Sequence, residues 1–276
     1  MKCSIFLIFL LYSLTLIASE QKARQLIKGF DTSRYAPQIV GLRNFKVDIR
    51  IDGLSEKLSQ QLIFGKVKDV FFEMSWLRGK DDYSSLKKVD VFGLPSGFFE
   101  IKSELANNIL PKIDSIVPPS WSEKMKDYKL TMTLNKDGST TIVGRDPQGV
   151  KEANEIILVF DNQKKPKSFI MKKPIGLETV DLVFFKKPWS RGKWVVKEYR
   201  VKKSHGIQKI ESQSTFHYRR VQGFGLPEKI ETTTKQVLNR PSPGKKSETY
   251  ERKGASTMKL SNWRINTGLK KDHFRR

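Results

Sequence analysis

From Tyr128 to Thr234 the chain alternates short runs of aliphatic, aromatic and β-branched residues with brief polar turns, and this stretch leaves few folds open. YKLTMTL (128–134) and STTIVGR (139–145) flank Asn135-Lys136-Asp137-Gly138. Asp-Gly between alternating runs signals a hairpin, because glycine accepts positive φ. EIILVF (155–160) and KSFIMKK (167–173) enclose residues 161–166; TVDLVFFKK (179–187) and KWVVKEYRVKK (193–203) enclose Pro188 to Gly192. IQKIESQSTFHYRR (207–220) and LPEKIETTTKQV (226–237) meet across Val221-Gln222-Gly223-Phe224-Gly225. Eight strands joined by turns of about four to six residues predict an up-and-down antiparallel meander, hence a mainly β (α+β) protein.

Period two assigns the faces. Tyr128, Leu130, Met132 and Leu134 share one face, with Lys129, Thr131 and Thr133 on the other. Ile210, Ser212, Ser214, Phe216 and Tyr218 likewise oppose Lys209, Glu211, Gln213, Thr215 and His217. The central strands differ. Val180, Leu182 and Phe184 alternate with Val183 and Phe185, and Ile156 and Leu158 with Ile157 and Val159, a pattern that predicts cover on both faces.

Upstream, Ala23, Leu26, Ile27 and Phe30 fall at helical spacing within 20–43. FKVDIRI (45–51), KLSQQLIF (57–64) and VKDVFFEMSW (67–76) read as strands turned at Asp52-Gly53 and Gly65-Lys66, followed by a polar connection from Leu77 to Lys88. Phe98, Ile101, Leu105, Ile109 and Ile113 then mark an amphipathic helix. Its expected N-cap is Ser96, Phe99 and Glu100 belong to its first turn, and Pro111 ends or kinks it. The tail from 239 to 276 opens with linker-like Asn239-Arg240-Pro241-Ser242-Pro243-Gly244 and closes with a strand, TMKLSNWRIN (257–266).

At the other end, Met1-Lys2-Cys3 precedes the apolar run SIFLIFLLYSLTLIA, which ends at the small residue Ala18. This pattern predicts a cleaved signal peptide over 1–19. The competing reading is an uncleaved anchor, although about 15 residues fall short of the ~20 needed to span. Cys3 lies before the apolar run, so it cannot be a lipoprotein's lipid-modified cysteine, and the mature chain has none. Export without disulfides suits a bacterial periplasm. The chain carries 52 Lys+Arg against 29 Asp+Glu, a formal net charge of +23. Nucleic acid is the usual partner of so basic a chain, but export argues against it. Anionic lipid headgroups, lipopolysaccharide or cell-wall polymers are the expected partners, with plain solubility as the competing explanation of the charge.

The export signal, the helix ahead of a long meander, the apolar helix inserted among strands, the step Gly225-Leu226-Pro227-Glu228-Lys229-Ile230-Glu231 and the closing Trp263-Arg264-Ile265-Asn266-Thr267-Gly268-Leu269 with Phe274 together resemble the outer-membrane lipoprotein-carrier (lipoprotein-sorting) superfamily. The resemblance covers residues 20 to 276. It implies a strongly bent antiparallel meander forming an incomplete barrel, with helices as a lid over its concave apolar face. On it, 20–238 form the half-barrel and 239–276 the basic linker and closing strand of the same domain. An open sheet under a loosely held helix suits an acyl chain, since each buried CH₂ gains about 0.8 kcal/mol. Candidate lining residues are Phe98, Phe99, Ile101, Leu105 and Ile109 from the helix, and Met132, Leu158, Phe160, Leu182, Phe184 and Trp194 from the strands. The competing reading for each is an ordinary core side chain.

The three histidines, His205, His217 and His273, are far apart in sequence and lack a metal-ligand spacing. No GxSxG, P-loop or GxGxxG follows a strand, and Gly223-Phe224-Gly225 reads as a hairpin turn. Glu100, Glu104, Glu178 and Glu198 could pair in space for hydrolysis, but nothing singles them out. The expectation is a monomeric, non-catalytic periplasmic carrier that holds lipid or lipoprotein acyl chains and needs no cofactor, metal or nucleic acid. The alternative is an envelope sensor or attachment module binding lipopolysaccharide or peptidoglycan through its basic surface.

Overall fold

The computed structural model describes residues 19–61, 67, 69–81, 84–240 and 248–275. The expected signal segment, apart from Ser19, and most of the expected linker lie outside these residues. Helix α1 (19–33) leads into β1 (Asn44–Ile51), α2 (Leu54–Gln61), β2 (Phe71–Leu77) and β3 (Leu86–Phe92). Then come α3 (Phe99–Ile109), a 3-10 turn (Leu110–Lys112), α4 (Ile113–Ile116) and α5 (Trp121–Lys124). The meander runs through β4 (Lys129–Leu134), β5 (Thr140–Arg145), β6 (Glu155–Phe160), β7 (Pro166–Lys173), β8 (Gly176–Phe185), β9 (Val195–His205), β10 (Gln208–Val221), β11 (Phe224–Arg240) and β12 (Glu248–Ile265). A final 3-10 turn spans Lys271–Phe274.

All twelve strands form one sheet in the order β3-β2-β1-β12-β11-β10-β9-β8-β7-β6-β5-β4. Every pairing is antiparallel, and β12 returns to pair with β1, joining the first strand to the meander. The outermost strands, β3 and β4, do not pair with each other, so the sheet stays open. Among the described residues no helix is long and apolar enough to cross a membrane.

The meander follows the sequence pattern closely. Val221 pairs with Phe224 across Gln222-Gly223, whose φ values of 47° and 88° are those of a two-residue turn matched to strand twist. Pro227 sits where β11 pairs with β10 alone, since β12 joins it from Lys229 onward, and where the register shifts: His217 faces Lys229, while Tyr218 faces Pro227. A bulge is where a strand tolerates a residue without an N–H.

Elsewhere the structure departs from the expectations. Residues 57–61 belong to α2 and not to a strand, with Leu58 buried and Leu54 packed beside it at i, i+4 spacing. The next strand starts at Phe71, and β3 begins at Leu86, inside the expected polar connection. The helix expected within 20–43 runs from 19 to 33. Phe98, not Ser96, occupies the N-cap of α3, with no side-chain cap. Pro111 ends α3 as expected, in the 3-10 turn. Ile156, Leu158 and Val180 are buried while Ile157, Val159, Val183 and Phe185 are half-buried, as are Leu182 and Phe184, so cover is fuller on the Ile156–Leu158 face.

Helices pack on that face over two large clusters. One gathers Phe45, Val47 and Ile49 of β1, Phe72 and Met74 of β2, and residues of β9 to β12 beneath Ile109, Ile113, Ile116 and Val117. The other sets Ala23, Ile27 and Phe30 of α1 with Trp121 and Met125 against Leu130, Ile142, Ile156, Leu158 and Phe160. A smaller one joins Leu58, Val67, Val70 and Leu94.

Candidate functional site

Phe30 packs on the sheet's covered face, over β6 and β8. Its ring meets Phe160 and Phe184 edge-on, with centroids 6.2 and 6.1 Å away. At the end of α1, the Asp31 carboxylate accepts from the N–H groups of Trp121 (2.9 Å) and Ser122 (2.7 Å) and from the Ser122 hydroxyl (2.7 Å). Arg34 donates to the Pro119 carbonyl (2.8 Å) and Gln38 to that of Pro118 (2.7 Å). The Ser120 hydroxyl accepts from the Glu123 N–H at 3.2 Å and starts α5. Thus α1 fixes the Pro118–Lys124 segment by satisfying its buried backbone groups.

A slot of about 260 Å³ lies between this assembly and β7 to β9. Phe30, Trp121, Phe169, Leu182, Phe184, Val196 and Tyr199 provide its apolar wall, and Arg34, Asp114 and Lys124 its charged part. The Lys124 ammonium stands 5.0 Å from the Trp121 ring centroid, 5.9 Å from that of Phe169 and 3.7 Å from Met171 Sδ. Burial holds its pKa below the ordinary lysine value, and the more distant charges of Glu152 and Glu178 offset this only in part. Burial likewise raises the Tyr199 hydroxyl above the usual range. Beyond Phe30, a second chamber of about 530 Å³ is lined by Leu26, Met132, Thr140, Trp194 and others. Phe30 is the wall the two chambers share.

Leu182 and Phe184 line the slot, and Met132 and Trp194 line the second chamber. Leu158 and Phe160 are fully buried floor residues of the cluster beneath α1. Ile109 and Leu105 belong to the neighbouring cluster, which Phe184 also touches. Phe98, Phe99 and Ile101 stand apart: α3 packs toward β3, Ile101 faces the small cluster, and Phe99 is exposed. The element over Leu158 and Phe160 is therefore α1, not α3. Trp121, Lys124, Phe169, Val196 and Tyr199 are absent from the sequence expectation. The one local signal among them was Ser120-Trp121-Ser122-Glu123, a helix start just after two prolines.

The four carboxylates considered for hydrolysis do not converge. Glu100 and Glu104 are exposed on α3, Glu178 pairs with Lys203 (3.3 Å) and Lys173 (3.6 Å), and Glu198 pairs with Arg200. His273, in contrast, comes close to Glu73 and Asp90. Both acids already have cations: Glu73 holds Lys46 (2.8 Å) and Arg264 (2.7 Å), and Asp90 holds Lys88 (3.2 Å). Burial opposes ionisation of Glu73, but Lys46 and Arg264 outweigh it and keep its pKa low. This is a charge network already balanced by lysine and arginine, with little call for a metal.

No protein-family model matches the chain, and no curated protein matches it in sequence.

Proposed function

We propose that the protein is a non-catalytic carrier in the bacterial periplasm that shelters the acyl chain of a lipid or lipoprotein in the slot beside Phe30. The observation that carries this reading is an apolar slot with a desolvated ammonium, Lys124, in its wall. The apolar wall suits the chain, and an anionic head beside Lys124 offsets the cost of burying that cation. The open sheet with helices on one face suits the task as well, because α1 and the 114–124 segment can shift without unpairing strands. At about 260 Å³ the slot is slightly below the ~300–1,000 Å³ of common ligand pockets. A chain longer than it admits would reach the second chamber by turning Phe30 aside.

The test is titration of the purified protein with a fluorescent fatty acid. Leu182→Trp, which fills the slot, should weaken binding by about tenfold or more, the equivalent of losing roughly 1.4 kcal/mol. Lys124→Met should weaken a fatty acid by a similar factor yet leave the matching fatty alcohol nearly unaffected. Circular dichroism on both variants checks that the sheet is intact. Failure of the parent protein to take up any acyl probe would overturn the reading.

A further inference from the structure

The strands β5, β7, β9 and β11 all finish at one end of the sheet, and that end is built unlike the other. A single rung of cross-strand partners crosses nine strands there: Lys129, Arg145, Glu155, Lys172, Leu177, Ser204, Lys209, Val237 and Glu251. Beyond this rung lie four large exposed apolar side chains, three in the connections β5–β6, β7–β8 and β9–β10 and one in β12, a residue past the rung. These are Val150 (75% exposed), Ile175 (69%), Ile207 (48%) and Tyr250 (52%). At the opposite end Leu134 (74%) and Ile39 (48%) are comparable among the described residues beside the turns. Ile175 and Ile207 sit in two-residue turns, Pro174-Ile175 and Gly206-Ile207, where asparagine, aspartate or glycine would serve the backbone better. Single exposed apolar residues need no explanation, but four aligned past one rung form a surface.

A basic belt lies just behind them on the outer face. Lys202, Glu211, Lys235 and Lys253 form one cross-strand rung, and with Arg200 they border a groove of about 590 Å³. Lys235 lies directly opposite Lys253, an arrangement a sheet ordinarily avoids. One carboxylate, Glu251, tethers both, at 2.7 and 3.2 Å. The belt is two residues back from the last common rung, about 7 Å along the strands. That spacing suits the headgroup layer of a bilayer, roughly 5–8 Å deep on each side of its hydrocarbon. We propose that this end of the sheet docks on an anionic lipid surface, with Val150, Ile175, Ile207 and Tyr250 entering the interface and the belt meeting the phosphates.

Lys124, in the slot's charged wall, lies toward this end, since it contacts Met171, one rung back on the covered face. Docking does not depend on the carrier reading and is tested apart from it. The protein is sedimented with vesicles of phosphatidylcholine alone and of phosphatidylcholine mixed equally with phosphatidylglycerol. It should partition to the mixed vesicles and not to the neutral ones, with an affinity that falls steeply with salt. Ile175→Asp combined with Ile207→Asp should lower that partition by about tenfold or more. Lys202→Glu with Lys253→Glu should lower it too and flatten its salt dependence. Fatty-acid uptake should be unchanged in both double variants, so failure of docking and failure of carriage are distinguishable. A protein that stays in solution beside mixed vesicles, or an Ile175→Asp, Ile207→Asp variant that binds them as well as the parent, would overturn the proposal. So would a lipid-free dimer that the Ile175→Asp and Ile207→Asp substitutions dissolve, because the tips would then join two copies of the chain.

Discussion

Gly225 shows how one missing side chain organises its neighbours. It opens the step Gly225-Leu226-Pro227, and the ring of Trp189 occupies the space where its Cβ would project. That close approach lets Trp189 reach Tyr35 and Tyr218, at centroid distances of 5.0 and 5.6 Å, while the Gly225 N–H donates to the Tyr35 hydroxyl at 2.8 Å. Burial, opposed by that hydrogen bond, keeps the Tyr35 hydroxyl protonated above its usual range. Gly225→Ala should therefore cost about 1–3 kcal/mol, the usual penalty of overpacking, read as a lower urea midpoint at unchanged slope. In a Trp189→Leu background the same substitution should cost much less, because the clashing ring is gone. Equal costs in the two backgrounds would mean that the ring is not what the glycine accommodates.

At the scale of elements, the C-terminal 3-10 turn is held to the sheet by a titratable contact. His273 Nε2 lies 3.1 Å from the hydroxyl of Ser75, a residue with no exposed surface. Burial, then Lys46 and Lys88, depress the His273 pKa below 6.5, against a smaller opposite pull from Glu73 and Asp90. The folded state thus prefers neutral histidine. Its contribution is fully present above the unfolded value of 6.5 and is lost as pH falls through the depressed folded value. Amide exchange over residues 267–275, corrected for intrinsic rate, should accelerate between about pH 7.5 and about pH 5. His273→Gln should remove that dependence. A tail whose protection ignores pH would show that the histidine is a bystander. What could be read in the sequence follows the same scale. The meander was legible because alternation and turn residues agree from 128 onward, and Leu182 and Phe184 were legible from period two. The strand β3 was hidden by Lys87 and Lys88, which make its first half look like the end of a polar connection until β2 supplies a partner. Trp121, Phe169 and Tyr199 meet only because the sheet curves and Asp31 anchors a turn ninety residues away in sequence, and no local pattern encodes that.

Across the whole molecule, the two large clusters divide the sheet. The one beneath α1 rests on β4 to β6, with Phe169 and Met171 of β7; the other spans β1, β2 and β9 to β12. Phe184 of β8 packs against both, and its ring also touches Phe30. Backbone pairing is continuous through β8, so the halves share hydrogen bonds in any case. Their side-chain coupling, however, passes through this one phenylalanine and its neighbours. Cooperativity in a sheet comes from such packing more than from the ladder, because ladder bonds each contribute only about 1 kcal/mol net. Phe184→Ala should cost about 3–5 kcal/mol, and the loss should not fall evenly. In rising urea, native-state hydrogen exchange should release α1 and β4 to β7 before β10 to β12, whereas the parent protein should release both together. The same variant enlarges the slot, so an acyl ligand should restore part of the lost coupling by filling the space the ring leaves. Simultaneous release of the two halves in the variant would show that the backbone ladder alone makes the sheet one cooperative unit.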